Sequence, residues 1–331
     1  MDVAVLVNLR SRRGSRRVVE HARAELPNAR VIASGSLADT EKFILDLQRS
    51  APDLVLSAGG DGTAVGLINA LRPGNDLAGL PIGLLPLGTG NGWANATRAP
   101  KWKVGLARVG ALARLRSPIS TRRFDLVEVC GRIAPFAGTG WDAELIDDFH
   151  AQKTGFGVLP TNARNGVAGY LQGLLTRTFP RHLFANERLE VELVNTGADA
   201  YTIDDQGRAV PLPGGENGRV LYRGPVGVCG AATSPEWGFG FKAYPFAKAM
   251  ARRMSVRVYS AGAVEAISRT RDLWRGAHPL PKMHTWQLTS CKMTFSRPVP
   301  FQIGGDRHGH VSEVEYRIAD ETVNVLDWTR F

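Results

Sequence analysis

Two glycine turns and a few acids and bases carry whatever chemistry this chain performs. The first turn is Gly59-Gly60-Asp61-Gly62-Thr63. It follows the apolar run Leu54-Val55-Leu56-Ser57-Ala58 and precedes Val65, Leu67, Ile68 and Leu71 at helical spacing. That pattern reads as strand, turn, helix. Glycine lets the main chain come close to a ligand, and the start of a helix aims unpaired N–H groups and a positive dipole end at the same place. Such a turn holds an anion, most often phosphate. Asp61 adds a complication, because a carboxylate repels phosphate unless it orients a donor, handles a proton or meets a metal ion. The loop therefore points to phosphate chemistry, with a plain tight turn as the alternative for this pattern taken alone.

The second turn, Gly88-Thr89-Gly90-Asn91-Gly92, ends another apolar run, Pro81 to Pro86. Each turn offers backbone donors, and Thr63, Thr89 and Asn91 add polar side chains. A third loop, Asn8 to Arg17, leaves the first apolar run with Asn8, Ser11 and five arginines, Arg10, Arg12, Arg13, Arg16 and Arg17. Ligands collect at the carboxyl ends of strands in open α/β sheets. Read that way, these arginines face a phosphate or a membrane; the alternative is a solvated helix start.

The elements that must position these loops alternate. Strands are predicted near 2–8, 29–33, 53–57 and 81–86, and helices near 15–26, 39–49 and 102–115. This is a Rossmann-like α/β domain, a parallel sheet with helices on both faces, over residues 1–118. After Pro118 the pattern changes. Strands are predicted at 123–129, 133–137, 188–195, 200–203, 219–222, 255–260, 287–296 and 311–318, and helices at 142–150 and 163–177. Asp204 to Asn217 reads as an exposed hairpin or loop. Residues 119–311 are thus expected to form a mainly antiparallel β-sandwich domain.

Length, charge and cysteine use narrow the classes. A chain of 331 residues, 44% hydrophobic and 22% charged, is an ordinary globular chain of about two domains. Its net charge of +10 fits a nucleic acid, an anionic membrane surface or a phosphorylated substrate. No nucleic-acid module is evident, which argues against that partner. The scattered cysteines Cys130, Cys229 and Cys291 fit a reducing compartment, and Met1 to Val7 reads as a first strand rather than a leader. A cytoplasmic protein with peripheral membrane association is the expectation.

In order and spacing, GGDGT at 59–63, Pro86-Leu87-Gly88-Thr89-Gly90-Asn91, Gly140-Trp141-Asp142-Ala143-Glu144, Gly169-Tyr170-Leu171, Tyr244-Pro245-Phe246-Ala247 and Phe301-Gln302-Ile303-Gly304-Gly305-Asp306 resemble the diacylglycerol kinase-like lipid kinases. That family includes sphingosine and ceramide kinases and bacterial lipid kinases. GGDGT alone is shared with NAD kinases; the pair of turns is far more specific. The resemblance implies ATP with Mg²⁺, a nucleotide-binding first domain, a lipid-binding second domain, an active site in a cleft between them, and a tail, 312–331, that returns to the first domain.

It also implies roles. Asn8, Arg10, Ser11, Gly59, Gly60, Gly62, Thr63, Gly88, Thr89, Gly90 and Asn91 would hold the nucleotide. Asp61 would serve transfer or metal orientation, and Asp306 would be the base taking the hydroxyl proton, with Mg²⁺ near both. Asp142 and Glu144 would contact the lipid head group, or simply cap a helix. Arg10, Arg12, Arg13 and Arg164 are candidates to neutralise developing charge. The sequence departs from the family at Gly66 and Gly304, where acids are usual, and at Gly92. Asp306-Arg307-His308-Gly309-His310 lacks a matching ligand pair for zinc. Trp237 is either core or lipid-facing. Diacylglycerol is the expected acceptor. The alternatives are a sphingosine or ceramide kinase, an NAD kinase-like enzyme, and a non-catalytic nucleotide- or lipid-binding protein.

Overall fold

In a computed structural model, the structure describes residues 1–72, 79–141, 143–144, 146, 148 and 188–330. The chain forms two units: Met1–Asp125 with Asp320–Phe331, and Leu126–Ala319.

The first unit starts with β1 (Val3–Asn8), α1 (Arg16–Glu25), β2 (Arg30–Ser34) and α2 (Leu37–Arg49). β3 (Leu54–Gly59), α3 (Asp61–Leu71), β4 (Ile82–Pro86), α4 (Gly92–Ala96) and α5 (Trp102–Leu115) follow. β1 lies between β2 and β3, and β3 pairs with β4, all parallel. Every residue of β3, and β1 from Val3 to Val7, is buried, as expected of parallel strands covered on both faces. Helix α2 starts at Leu37 rather than Asp39, because Ser36 and Asp39 form a reciprocal capping box.

β5 (Thr121–Val129) carries the chain from one unit to the other. The second unit holds β6 (Arg132–Ala134), β7 (Phe136–Gly140), β8 (Glu190–Asn195), β9 (Tyr201–Ile203), β10 (Ala209–Pro211) and β11 (Val220–Pro225). Then come β12 (Val228–Ala232), β13 (Met254–Tyr259), the short helices α6 (Ala263–Ser268) and α7 (Thr270–Arg275), β14 (Met283–Leu288) and β15 (Ser290–Ile303). β16 (Asp306–Leu326) begins in this unit and ends in the first, where Val325 pairs in parallel with Ile82. β15, β7, β12, β13, β14, β9 and β10 pair antiparallel in that order. The expected α/β unit and mostly antiparallel unit are both present.

Some details differ from the sequence reading, and others lie outside the described residues. The strand expected at 287–296 is two strands, separated at Thr289. β12, α6 and α7 were not anticipated. The helices expected at 142–150 and 163–177 lie wholly or largely outside the described residues, as do Arg164 and Gly169-Tyr170-Leu171.

The Tyr244-Pro245-Phe246-Ala247 segment is held from beneath by polar side chains of β13 and β14. Arg257 is buried and donates to the Ala243 carbonyl and to Thr285 Oγ1, the latter at 3.1 Å. Gln287 Nε2 donates to the Phe246 carbonyl at 3.0 Å. Desolvation lowers the Arg257 pKa to about 10, so the guanidinium stays charged at neutral pH. Trp237 packs edge-on against Phe241 and Tyr244 in this same cluster.

At the end of the chain, Asp327 accepts from Thr329 Oγ1 at 2.7 Å and from Thr329 N–H at 3.1 Å, and pairs with Arg122 at 3.3 Å. The Thr329 hydroxyl, and then the nearby arginines, hold its carboxyl below the usual value of 3.8. A depressed folded pKa contributes stability that is complete above the unfolded value and fades as pH falls through the folded one. Asp327→Asn is therefore expected to lower the melting temperature at pH 7. The gap to the parent should close as the pH is taken below about 4. Thermal melts of both proteins across that range check this.

Candidate active site

Three loops meet at the carboxyl ends of β1, β3 and β4, and their own hydrogen bonds lock them together. The first, from Asn8 to Gly14, folds back on its first residue. Ser11 Oγ donates to the Asn8 carbonyl at 2.7 Å, and the Gly14 N–H donates to the Ser11 carbonyl at 2.9 Å. A Cβ on Gly14 would stand 2.0 Å from that Asn8 carbonyl oxygen. Two bonds join this loop to the others. Asn8 Nδ2 donates to Thr63 Oγ1 at 2.8 Å, and the Arg13 N–H donates to the Leu87 carbonyl at 2.9 Å.

The two glycine turns touch backbone to backbone. The N–H groups of Leu87 and Gly88 both donate to the Gly59 carbonyl, at 2.8 and 3.1 Å. A Cβ on Gly88 would lie 2.4 Å from Gly60 Cα, and a Cβ on Gly60 would lie 3.2 Å from Gly88 Cα. At Gly59 a Cβ would strike the Thr63 side chain at 2.3 Å. The sequence pointed to glycine for close approach of a ligand; at these three positions the structure shows protein against protein. Asn91 closes the second turn. Its φ of 55° is left-handed, its Oδ1 accepts from Gly88 N–H at 2.9 Å, and its Nδ2 donates to the Gly88 carbonyl at 3.0 Å. Asparagine tolerates that backbone region better than most residues.

Asp61 ties the turns a second time. Its two carboxylate oxygens accept from the N–H groups of Gly92 at 2.8 Å and Trp93 at 3.0 Å. These are the first donors of α4, which have no partner within a helix, and a carboxylate is a favourable neighbour for that end of the dipole. Trp93 itself is fully buried and packs against Phe124, ring centroids 5.7 Å apart. Asp61 thus fixes α4, and with it the second turn, onto the start of α3.

What is left open around this knot suits an anion. The N–H groups of Thr89 and Gly90 have no hydrogen-bond partner among the described residues. The Gly62 N–H lies in the first turn of α3, where no intrahelical acceptor exists. Arg10, Arg12 and Arg13 are exposed and make no ion pair with any described residue.

The remaining predicted residues lie elsewhere. Asp306 is in the second unit, exposed, at the first position of β16. It faces Ile303 across a two-residue turn whose glycines, Gly304 and Gly305, have φ of 61° and 86°. Gln302 Oε1 accepts the Gly305 N–H there at 2.9 Å. This is the hairpin turn natural to Gly-Gly. Glu144, also in the second unit, lines a cavity of about 550 Å³ together with Trp141, Arg188, Lys282 and Arg297. Asp142 lies outside the described residues. Among the described residues no group of three or more His, Cys, Asp or Glu could hold a metal ion.

Paired glycine turns at the carboxyl ends of a parallel sheet, beside a loop whose arginines pair with no described residue, suit the binding of phosphate. Residues 2–129 match the family described as diacylglycerol kinase catalytic domain. Those residues carry both glycine turns, so the match identifies this part of the chain as a diacylglycerol kinase-like catalytic domain, that of an ATP-dependent kinase acting on a hydroxyl group. Two crystal structures from Bacillus anthracis str. Sterne are similar along the whole chain. One has a TM-score of 0.66 at 14% identity, covering 98% of this chain and 96% of that one. The other, named a diacylglycerol kinase, has a TM-score of 0.62 at 13% identity with the same coverage. At such identities the likeness speaks for the fold. No curated protein matches the sequence.

Proposed function

We propose that the chain is a lipid kinase that transfers the γ-phosphate of ATP to a lipid hydroxyl, with diacylglycerol as the acceptor. The observation that carries this reading is the knot of turns at Gly60 and Gly88, whose Thr89 and Gly90 N–H groups have no partner among the described residues, beside a loop whose Arg10, Arg12 and Arg13 pair with no described residue. Phosphoryl transfer asks a protein for positioning and charge stabilisation more than for covalent chemistry. The loops supply the positioning, with Thr89, Gly90 and Gly62 N–H groups holding phosphate oxygens. Arg10, Arg12 and Arg13 supply charge. Asp61 acts by orienting the second turn.

Magnesium fits this site as a companion of the nucleotide. The ion usually keeps several waters and binds through one or two carboxylates and the phosphates, and the Asp61 carboxylate stands at the start of α3 beside the second glycine turn. When bound it would offset charge on the phosphates. Asp306 is assigned to accept the hydroxyl proton, and Glu144 to the head group, by their motif positions.

The test is labelled ATP against dispersed diacylglycerol, sphingosine, ceramide and soluble NAD. Label in phosphatidate is the expected result. Label in a sphingoid lipid moves the acceptor within the family, label in NAD replaces the lipid reading, and ATP binding without any labelled product makes the chain a non-catalytic binder. In the same assay, replacing Arg12 and Arg13 together with alanine is expected to raise KM for ATP about tenfold, the scale of one lost charge-assisted contact. An unchanged KM would remove these two arginines from the nucleotide site.

A further inference from the structure

We propose that α6 and α7 form a docking surface for an anionic lipid bilayer. The inference rests on the lipid-kinase reading only in explaining why such a surface is useful; its residues are separate from the nucleotide site.

The two helices are short but nearly continuous. Arg269, the residue between them, has φ −101° and ψ 12°, its N–H donates to the Glu265 carbonyl at 3.1 Å, and the Leu273 N–H donates to the Arg269 carbonyl at 2.9 Å. At 100° per residue, Val264, Ile267, Arg271, Trp274 and Arg275 fall within an arc of about 100°. Ala266 and Leu273 lie opposite and pack with Tyr259, Ala261 and Leu280. The first arc is the exposed one. Val264 is 64% exposed, Ile267 41% and Trp274 42%, three of the eight exposed large hydrophobic side chains among the described residues.

An apolar face alone names no partner; the charge does. Arg271 and Arg275 share the exposed arc and make no ion pair with any described residue. Two acids flank the arc: Glu265 is already engaged by Lys282 at 2.6 Å and Arg269 at 3.7 Å, and Asp272 is exposed and makes no ion pair with any described residue. Among the described residues the face therefore presents two unpaired guanidinium groups against one unpaired carboxylate, a net positive charge around Trp, Ile and Val. That composition suits the interface of an acidic bilayer, where apolar side chains enter the head-group boundary and cations meet lipid phosphates. Tryptophan favours that boundary. A protein groove would not require free cations, and nucleic acid would not favour three exposed apolar side chains. Val264 and Glu265 also line the cavity that contains Glu144, so the surface and that cavity share a rim.

The experiment is flotation of the full chain with vesicles of phosphatidylcholine, with and without phosphatidylglycerol. The parent is expected to float only with the acidic vesicles. Arg271→Ala and Arg275→Ala should each weaken partitioning about fivefold, and high salt should weaken the parent likewise. Ile267→Asp with Trp274→Ala should weaken it about tenfold or more. Because Trp274 touches Phe241, melting temperatures accompany the flotation, and the arginine variants, which lose no packing, decide the matter if the apolar pair unfolds. Phosphorylation of a short-chain acceptor in free solution should be unchanged in the arginine variants. Equal flotation of parent and arginine variants, or no flotation of the parent, overturns the proposal. So does a concentration-dependent dimer that the variants dissociate, which would assign the face to a second copy. If vesicle binding responds to the variants but no lipid is ever labelled, the docking surface stands and the lipid-kinase reading falls. If lipid is labelled while vesicle binding ignores the variants, the reverse holds.

Discussion

Asp61→Asn is expected to lose about a hundredfold in phosphotransfer, the scale set by misplacing a catalytic group by about one ångström. It should lose stability at the same time. The Asp61 carboxylate gives one oxygen to the Gly92 N–H and the other to the Trp93 N–H. An asparagine offers one oxygen and an NH₂ group, so one of those N–H groups then faces another donor. A hydrogen bond to a charged group is worth about 1.5–3 kcal/mol, and the stranded donor adds its own desolvation. The melting temperature should fall by roughly 3–8 °C, on the scale of 2–4 °C per kcal/mol for a domain of this size. Measuring both quantities separates two roles. If Asp61 orients the second turn, rate and melting temperature fall together. If it acts on the reacting groups and nothing else, the rate falls and the melting temperature holds. A variant that keeps both would remove Asp61 from the site altogether.

The partners of Asp61 were not legible in the sequence, and the reason is physical. Glycine turns after apolar runs are local patterns, so the order strand, turn, helix can be read at 54–71 and again at 82–96 without knowing the fold. The pairing of Asp61 with Gly92 and Trp93 joins residues about thirty apart. It exists because β3 and β4 are parallel neighbours, Gly59 beside Pro86, and strand order is a property of the assembled sheet. The same reasoning explains Asn8. Its type suited a polar loop, but its contact with Thr63 follows from β1 lying beside β3.

The second unit was less legible because its signals are short. α6 and α7 have six residues each, too few for the usual helical pattern to stand out among strands. The trace was there in Val264, Ala266, Ile267, Leu273 and Trp274, though the outward face is as apolar as the inward one. That reversal is what makes the face a binding surface. Gly304-Gly305-Asp306 was open to two readings, a turn or a site of chemistry. The positive φ of both glycines supplies the turn, and the turn leaves Asp306 exposed with its backbone fixed. The two readings are compatible, since a hairpin tip holds a carboxylate in place.

Gly88→Ala is expected to cost about 3 kcal/mol and Gly60→Ala about 1 kcal/mol, the upper and lower parts of the range for forcing an atom into a packed contact. The ordering comes from the geometry. The added methyl at residue 88 would sit 2.4 Å from Gly60 Cα, inside any tolerated contact, and its neighbour is backbone that cannot swing away. The methyl at residue 60 would sit 3.2 Å from Gly88 Cα, where a shift of a few tenths of an ångström relieves it. Backbone conformation cannot produce the same ordering. Gly60 has φ −94° and ψ −176°, open to any residue, and Gly88 is absent from the left-handed region. Alanine would even gain slightly by restricting the unfolded chain, so any loss reports the crossing of the two turns. Because that crossing sets where Thr89 and Gly90 point their N–H groups, KM for ATP should rise in both variants and in the same order. Calorimetry and initial rates on the two proteins test this together. A Gly88→Ala protein as stable as its parent would mean that the turns do not touch in solution, and the nucleotide site built on their contact would have to be abandoned.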